Sequence, residues 1–276
     1  MLIMNASVRP ILTDQERALL IRVARCPLIG EAIGSASHPC HEVVASQEVA
    51  EADRQIPEGW AGNLRDSRIV FVSSNPSISV AARGQLPSAT EAYPVAAWLD
   101  HEIVEFLGRR FDQTVLPHPF VRGFRHRQRD GQYAPKPTRF WLSIRQRAVE
   151  LLGVDADPSR NYVMTEVVHC KSTGETGVTS AAPTCAGLYL DDILSLTAAP
   201  VVVIVGKQAH VRLQQHLPDL PDPPYITAAD LGGRARAVVF IWHPAAFQGP
   251  KAIGGLYGPE PLATLKALAS PPQSHS

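Results

Sequence analysis

Four short apolar runs, at 68–73, 162–168, 201–205 and 237–242, constrain the fold more than any other feature of this chain. Each is apolar at successive positions rather than alternate ones, the pattern of strands covered on both faces of a sheet. Helical patterns lie between them, at 94–110, 138–152, 184–197 and 207–216, with a last one at 259–269. Near the start, Thr13-Asp-Gln-Glu16 is a capping-box pattern ahead of an apolar helix that ends near Cys26-Pro27. This alternation predicts an α/β fold: a three-layer αβα sandwich around a central, mainly parallel four-stranded sheet, with ligand sites at the carboxyl ends of the strands.

At 276 residues and 45% hydrophobic content, the chain is read as one elaborated domain over 1–269, with a disordered tail at 270–276. The first residues, Met1-Leu-Ile-Met-Asn-Ala-Ser, lack a basic segment joined to a long apolar one, and no stretch approaches a membrane span. A cytosolic protein is expected, nucleoid-associated in a prokaryote. In a reducing compartment the four cysteines are buried, metal-bound or reactive rather than paired.

The 26 basic residues balance the 26 acidic ones, so overall charge gives no reason to expect a polyanionic partner. Local charge does. Between Arg109 and Arg147, ten basic residues, Arg122, Arg125 and Arg127 among them, face two acidic ones, Asp112 and Asp130. Phe120, Phe124, Tyr133, Phe140 and Trp141 are interleaved, a mixture suited to phosphates and bases. A solvated loop whose arginines pair with acidic helices accounts for it equally well.

Two of the strands end alike. The first continues into Ser73-Ser74-Asn75-Pro76-Ser77, and the last into Trp242-His243-Pro244-Ala245-Ala246-Phe247. Proline restricts the residue before it and stops the strand, so Asn75 and His243 are presented at rigid turns. Cys170 follows the second strand, and Cys185 comes after an aperiodic Gly/Thr/Ser/Pro segment at 171–184. That arrangement resembles half of a metal site.

In order and spacing these pieces resemble the uracil-DNA glycosylase superfamily, and within it the iron-sulfur class. The resemblance covers roughly 68–247, with a weaker echo at 21–33. Val72-Ser-Ser-Asn-Pro-Ser77 is similar to the first motif, one version of which ends in Asn-Pro-Gly, and His243-Pro-Ala to the last. A strand, Cys170, a loop, Cys185 and Tyr189-Leu190 follow the order of the cysteine segment. The resemblance implies hydrolysis of an N-glycosidic bond in DNA, with the altered base flipped into a pocket. His243 then donates to the base oxygen as negative charge develops, and Asn75 orients water or holds the sugar. Phe247 is the candidate wedge into the duplex, or else a core or lid aromatic. Ser74 and Ser77 lie beside the base and the DNA, and Tyr93 is the candidate to stack on the base.

The chain departs from that class in informative ways. Glu166 stands four residues before Cys170, where the class carries an asparagine that reads the uracil edge. An ionised carboxylate repels the O4 oxygen of uracil, so the base is one with an exocyclic amine, a deaminated purine, or uracil read by a neutral Glu166. Ser73 and Ser77 replace glycines, and the basic stretch around 111–140 is an insertion. By the resemblance, Cys26, Cys40, Cys170 and Cys185 hold a structural [4Fe-4S] cluster, although thirteen residues separate the first pair instead of two. Zinc on some of these thiols with His38, His41 or His169 is the alternative, and buried unliganded cysteines the simplest one. The expected partner is single- or double-stranded DNA with a modified base, bound by a monomer. A DNA-binding relative without excision activity and a small-molecule enzyme on the same scaffold are the competing functions.

Overall fold

The computed structural model describes residues 12–78, 91–112, 121–247 and 249–271. The first helix, α1 (Asp14–Ala24), starts at the expected capping box: Glu16 N–H donates to Thr13 Oγ1 at 3.2 Å, and Thr13 N–H to Glu16 Oε2 at 2.7 Å. Two short helices, α2 (Leu28–Gly34) and α3 (His41–Ala45), then bring the chain through Cys40 to a first strand, β1 (Trp60–Gly62).

The rest alternates as the sequence predicts. Strand β2 (Ile69–Ser73) is followed by α4 (Asp100–Gly108), a two-residue hairpin of β3 (Val121–Arg122) and β4 (Arg125–His126), and α5 (Arg139–Leu152). Then come β5 (Tyr162–Glu166), α6 (Val178–Ser195), β6 (Val201–Val205) and α7 (Lys207–Gln214). The chain closes with β7 (Ile226–Asp230), β8 (Ala235–Ile241), α8 (Ile253–Tyr257) and α9 (Pro259–Ala269).

The sheet has six strands in the order β1-β5-β2-β6-β8-β7, not four. The four apolar runs are its parallel centre, while β1 pairs antiparallel with β5 and β7 antiparallel with β8. Both edge strands escape a hydrophobicity reading for physical reasons. Trp60–Gly62 is only three residues long, and β7 is exposed or half-buried at every position, so neither carries an apolar run.

Period-two alternation splits the core between the two faces. Val70, Val72, Val202, Ile204 and Phe240 pack toward α1, α4, α6 and α7; Ile69, Phe71, Val203, Val239 and Ile241 pack toward α5, α8 and α9. Helices thus cover the sheet on both sides. Each fully buried large aliphatic or aromatic side chain contributes about 1.5–3 kcal/mol relative to exposure. A slip of one residue in any central strand would exchange its two faces.

Two helices differ from expectation. The fourth starts at Asp100 rather than 94, because Glu102 Oε2 accepts the Leu99 N–H at 2.7 Å and fixes the start there. The sixth starts at Val178 rather than 184 and carries Pro183 inside it, so Cys185 lies within a helix. Among the described residues no helix is long and apolar enough to cross a membrane. Of the tail expected to be disordered, 272–276 lie outside the described residues, as does Phe120.

Candidate functional site

The carboxyl ends of the four parallel strands open into one cleft of about 580 Å³, a volume suited to a nucleobase-sized or larger ligand. Register explains the convergence: Ser73 at the end of β2 is level with Glu166 at the end of β5, and Val205 of β6 with Ile241 of β8. The next residues of each strand therefore face the same space. Ser74, Asn75, Ser77, Glu166 and His243 all line it.

His243 is held in one tautomer. The Ala245 backbone N–H donates to its Nδ1 at 3.1 Å, so the ring proton resides on Nε2, which is left as a donor. Phe140 stacks on the ring with centroids 5.5 Å apart. Burial is the main influence on His243 and Lys251 adds to it; together they outweigh Glu175 and hold the imidazole below its ordinary pKa, hence neutral at pH 7.

Asn75 is fixed through its nitrogen. Nδ2 donates to Ser172 Oγ at 3.0 Å, Pro76 O at 3.1 Å and Cys170 O at 3.4 Å. The carbonyl Oδ1 remains as the acceptor for a ligand or water. The segment after Cys170 thus sets the orientation of Asn75.

Glu166 is buried and takes a hydrogen bond from the Ser73 hydroxyl. Burial foremost, with the neighbouring charges of Glu58 and Glu175, pushes its pKa well above the usual carboxylate range, against the opposing pull of Ser73 and Arg110. The shift favours the protonated form, which has one donor and one acceptor to offer.

Beneath it lies a network that no single segment announces. Arg110 pairs with Glu58, Arg110 and Glu91 approach to 3.9 Å, and Lys171 Nζ is 3.2 Å from Glu91, all of them buried. Burial alone would raise Glu91, but Lys171 and Arg110 overcome it and hold the carboxylate below its ordinary pKa. Two cations and two carboxylates leave the floor neutral, a condition for keeping four charges out of water. The four residues come from four separate stretches of chain, and each is unremarkable alone.

Tyr93, expected to stack on a base, is not on the cleft wall. Its hydroxyl donates to Glu58 Oε2 at 3.1 Å, Lys171 Nζ sits 3.6 Å from its ring centroid, and Phe106 packs edge-on against it. The aromatics that do line the cleft are Phe140, Trp141 and Trp242. Phe247 is fully exposed at the end of the His243 turn. The basic hairpin borders the cleft through His126; Arg122 pairs with Arg125 through its backbone, and Arg127 bridges to Tyr133. The segment between Ser77 and Tyr93 lies outside the described residues over 79–90.

The four cysteines, two near the start of the chain and two beyond its middle, line one small apolar cavity with Val44, Val168 and Tyr189. Helix α2 leads the chain away and the turns at 35–41 bring it back, His41 Nδ1 meeting Ala32 O at 2.7 Å, which is how a spacing of thirteen residues still delivers Cys40 to the cavity that Cys26 lines. Burial, and then the proximity of the other thiols, raises the pKa of Cys170 well above normal; burial likewise pushes Cys185 up to about 12. A single zinc needs its sulfurs about 2.3 Å from one point, and among the described residues no three His, Cys, Asp or Glu side chains are so placed. Of the candidate histidines, His41 bonds through Nδ1 to Ala32 O, His169 through Nδ1 to Glu58 O, and His38 Nδ1 accepts from the Cys40 N–H; His169 Nε2 is buried without a hydrogen-bond partner among the described residues. The four thiols around this hollow are the donor set of a four-sulfur site, while the hollow itself measures about 10 Å³.

No protein-family model matches the chain, and no curated protein matches it.

Proposed function

We propose that this chain is a monofunctional DNA glycosylase that hydrolyses the N-glycosidic bond of a deaminated base flipped out of DNA. The observation that carries this reading is the meeting of Asn75 and a tautomerically fixed, neutral His243 in one cleft at the sheet end. Breaking the bond sends its electron pair to the base. The His243 Nε2–H, aimed at a base oxygen, stabilises that charge without reorganisation, a contribution worth about 2.7–4 kcal/mol in comparable sites. Asn75 Oδ1 accepts a hydrogen bond from the water or the sugar.

Neutral Glu166 supports a lactam edge. Its O–H and C=O form a donor–acceptor pair that complements an adjacent C=O and N–H, present in uracil, hypoxanthine and xanthine. Phe140 and Trp141 supply apolar surface for the ring. The exposed Phe247 is the wedge that offsets part of the flipping cost, which is a few kcal/mol. Arg125 and Arg127 on the bordering hairpin, with Arg122, Ser74 and Ser77, serve the DNA and the base.

Cys26, Cys40, Cys170 and Cys185 would hold a [4Fe-4S] cluster, which supplies a structural tie and no electrons to a hydrolysis. Its effect on the site runs through the chain: Cys170 O and Ser172 Oγ are the groups that orient Asn75. Iron and sulfide content with visible absorbance, measured on protein purified anaerobically, checks the cluster; Cys170→Ser abolishes the signal if the assignment holds.

The activity is tested by base release from end-labelled oligonucleotides carrying uracil, hypoxanthine, xanthine or a thymine mismatch, revealed by alkaline cleavage. Wild-type protein releases at least one lactam base, and His243→Ala loses about 10²–10³-fold in rate at unchanged DNA affinity. Equal rates in the two proteins overturn the role of His243. DNA binding without release from any substrate favours a non-excising relative, and absence of salt-sensitive DNA binding favours a small-molecule enzyme.

A further inference from the structure

We infer that Glu175, on the loop between the two later cysteines, is a catalytic carboxylate of this cleft that receives the proton of the attacking water and stabilises positive charge on the sugar. The inference rests on the glycosylase reading and deepens it.

Asn75 hydrogen-bonds water but cannot take its proton, so with only Asn75 and His243 no side chain receives it and it must go directly to the departing base or to solvent. Four carboxylates line the cleft among the described residues: Glu58, Glu91, Glu166 and Glu175. The first three are buried; Glu58 and Glu91 are tied to Arg110 and Lys171, and Glu166 to Ser73. Glu175 alone is open to water, with 42% of its side chain exposed.

Its position is built rather than incidental. Glu175 has a left-handed backbone, φ 61°, next to Gly174 at 60° and close to Gly177 at 70°. A non-glycine residue there is uncommon and strained, so the surrounding structure must hold it in place. Two ties do so. A Cβ on Gly177 would lie 2.2 Å from Val43 N, so this loop is pressed against the backbone at the start of α3. Arg212, buried in α7, donates from Nη2 to Glu175 Oε2 at 3.0 Å and from Nη1 to Ser74 Oγ, and reaches Thr179 Oγ1 at 3.4 Å. One guanidinium therefore locks Glu175 to the residue preceding Asn75. Ser172, three residues before Glu175, is itself a partner of the Asn75 amide. The charge of Glu175 also acts on His243 across the cleft.

The step balances without a co-reactant. The C1′–N bond breaks with its pair on the base, and Glu175 faces the cationic sugar. Water adds to C1′, its proton passes to the Glu175 carboxylate, and from there to the released base anion or to solvent. The charged groups around Glu175 are Arg212 and Lys207 on α7 and Lys251 after β8, and the titratable ones Glu166 on β5 and His243.

The test is single-turnover release of the best lactam base by wild type, His243→Ala, Glu175→Gln and Glu175→Ala, with DNA affinity measured separately. Glu175→Gln is expected to lose about 10²–10⁴-fold in rate with equal or tighter DNA binding, since a negative charge near phosphates is removed. Added formate is expected to restore part of the rate of Glu175→Ala, which a purely structural role would not allow. Wild-type rate in Glu175→Gln, with His243→Ala impaired, overturns the role of Glu175 and leaves the glycosylase reading standing. A rate loss in Glu175→Gln that comes with a matching fall in melting temperature, and no formate rescue of Glu175→Ala, also overturns it. No release by wild type from any substrate overturns the glycosylase reading and this role with it.

Discussion

Gly206 is packed against His243 so closely that a Cβ on the glycine would lie 2.8 Å from the histidine Cβ. Gly206 has φ +91° and donates its N–H to Ile241 O at 2.8 Å, which ties the end of β6 to the end of β8. A side chain here meets both a steric and a backbone penalty. Gly206→Ala is therefore expected to move His243 off its Ala245 contact and to cut the excision rate about tenfold to a hundredfold, while DNA affinity stays near wild type. Single-turnover kinetics beside a binding isotherm checks this.

Glu166→Gln keeps a donor and an acceptor at the same place. Base release from a lactam substrate is expected to survive within about tenfold, whereas Glu166→Asp, shorter and no better solvated, loses more; the comparison is a rate assay on one oligonucleotide. Stability follows the sign of the shift. The folded-state pKa of Glu166 is raised, so the unfolded chain ionises first, and native stability falls as pH rises above the ordinary carboxylate range. The variant is expected to melt higher than wild type at pH 8 and alike near pH 4, read by thermal denaturation at both.

Glu91 has the opposite sign. Lys171 and Arg110 depress its folded pKa against the effect of burial, so its contribution is present above the ordinary carboxylate range and is lost as pH falls through the folded value. Removing a partner from the same buried network should be expensive at any neutral pH. Glu58→Gln is expected to cost about 3–5 kcal/mol, a fall in melting temperature of roughly 10 °C. Calorimetry or circular dichroism measures it.

Phe247 touches nothing that a fold needs, being fully exposed. Phe247→Ala is expected to leave the melting temperature within about 1–2 °C of wild type and to reduce excision from duplex about tenfold or more, with little effect on single strands, where no stacked base must be displaced. Paired assays on the two substrates give the ratio.

The legible part of the site was the part written in local pattern. Asn75 and His243 were readable because each ends an apolar strand and precedes a proline, and the sheet topology then brings strand ends together whatever lies between them. Glu175 was not readable. Its signal, a polar residue flanked by Gly174 and Gly177, is common to many turns, and its partner Arg212 lies 37 residues away. Tyr93 was misplaced for a related reason: an aromatic beside a motif looks like a stacking platform until the charges that enclose it, Glu58 and Lys171, arrive from other segments.

By itself the sequence determined the four parallel strands and the helices between them, and it pointed to the carboxyl ends of those strands, where the cleft lies. Those depend on periodicity, on caps such as Thr13–Glu16, and on prolines, all acting within a few residues. Tertiary structure alone decided the antiparallel edges β1 and β7, the gathering of the cysteines around one hollow, and the neutral ion network under Glu166. Each of these joins residues whose separation along the chain carries no information about their distance in space, so only the packing of the helices on the sheet could bring them together.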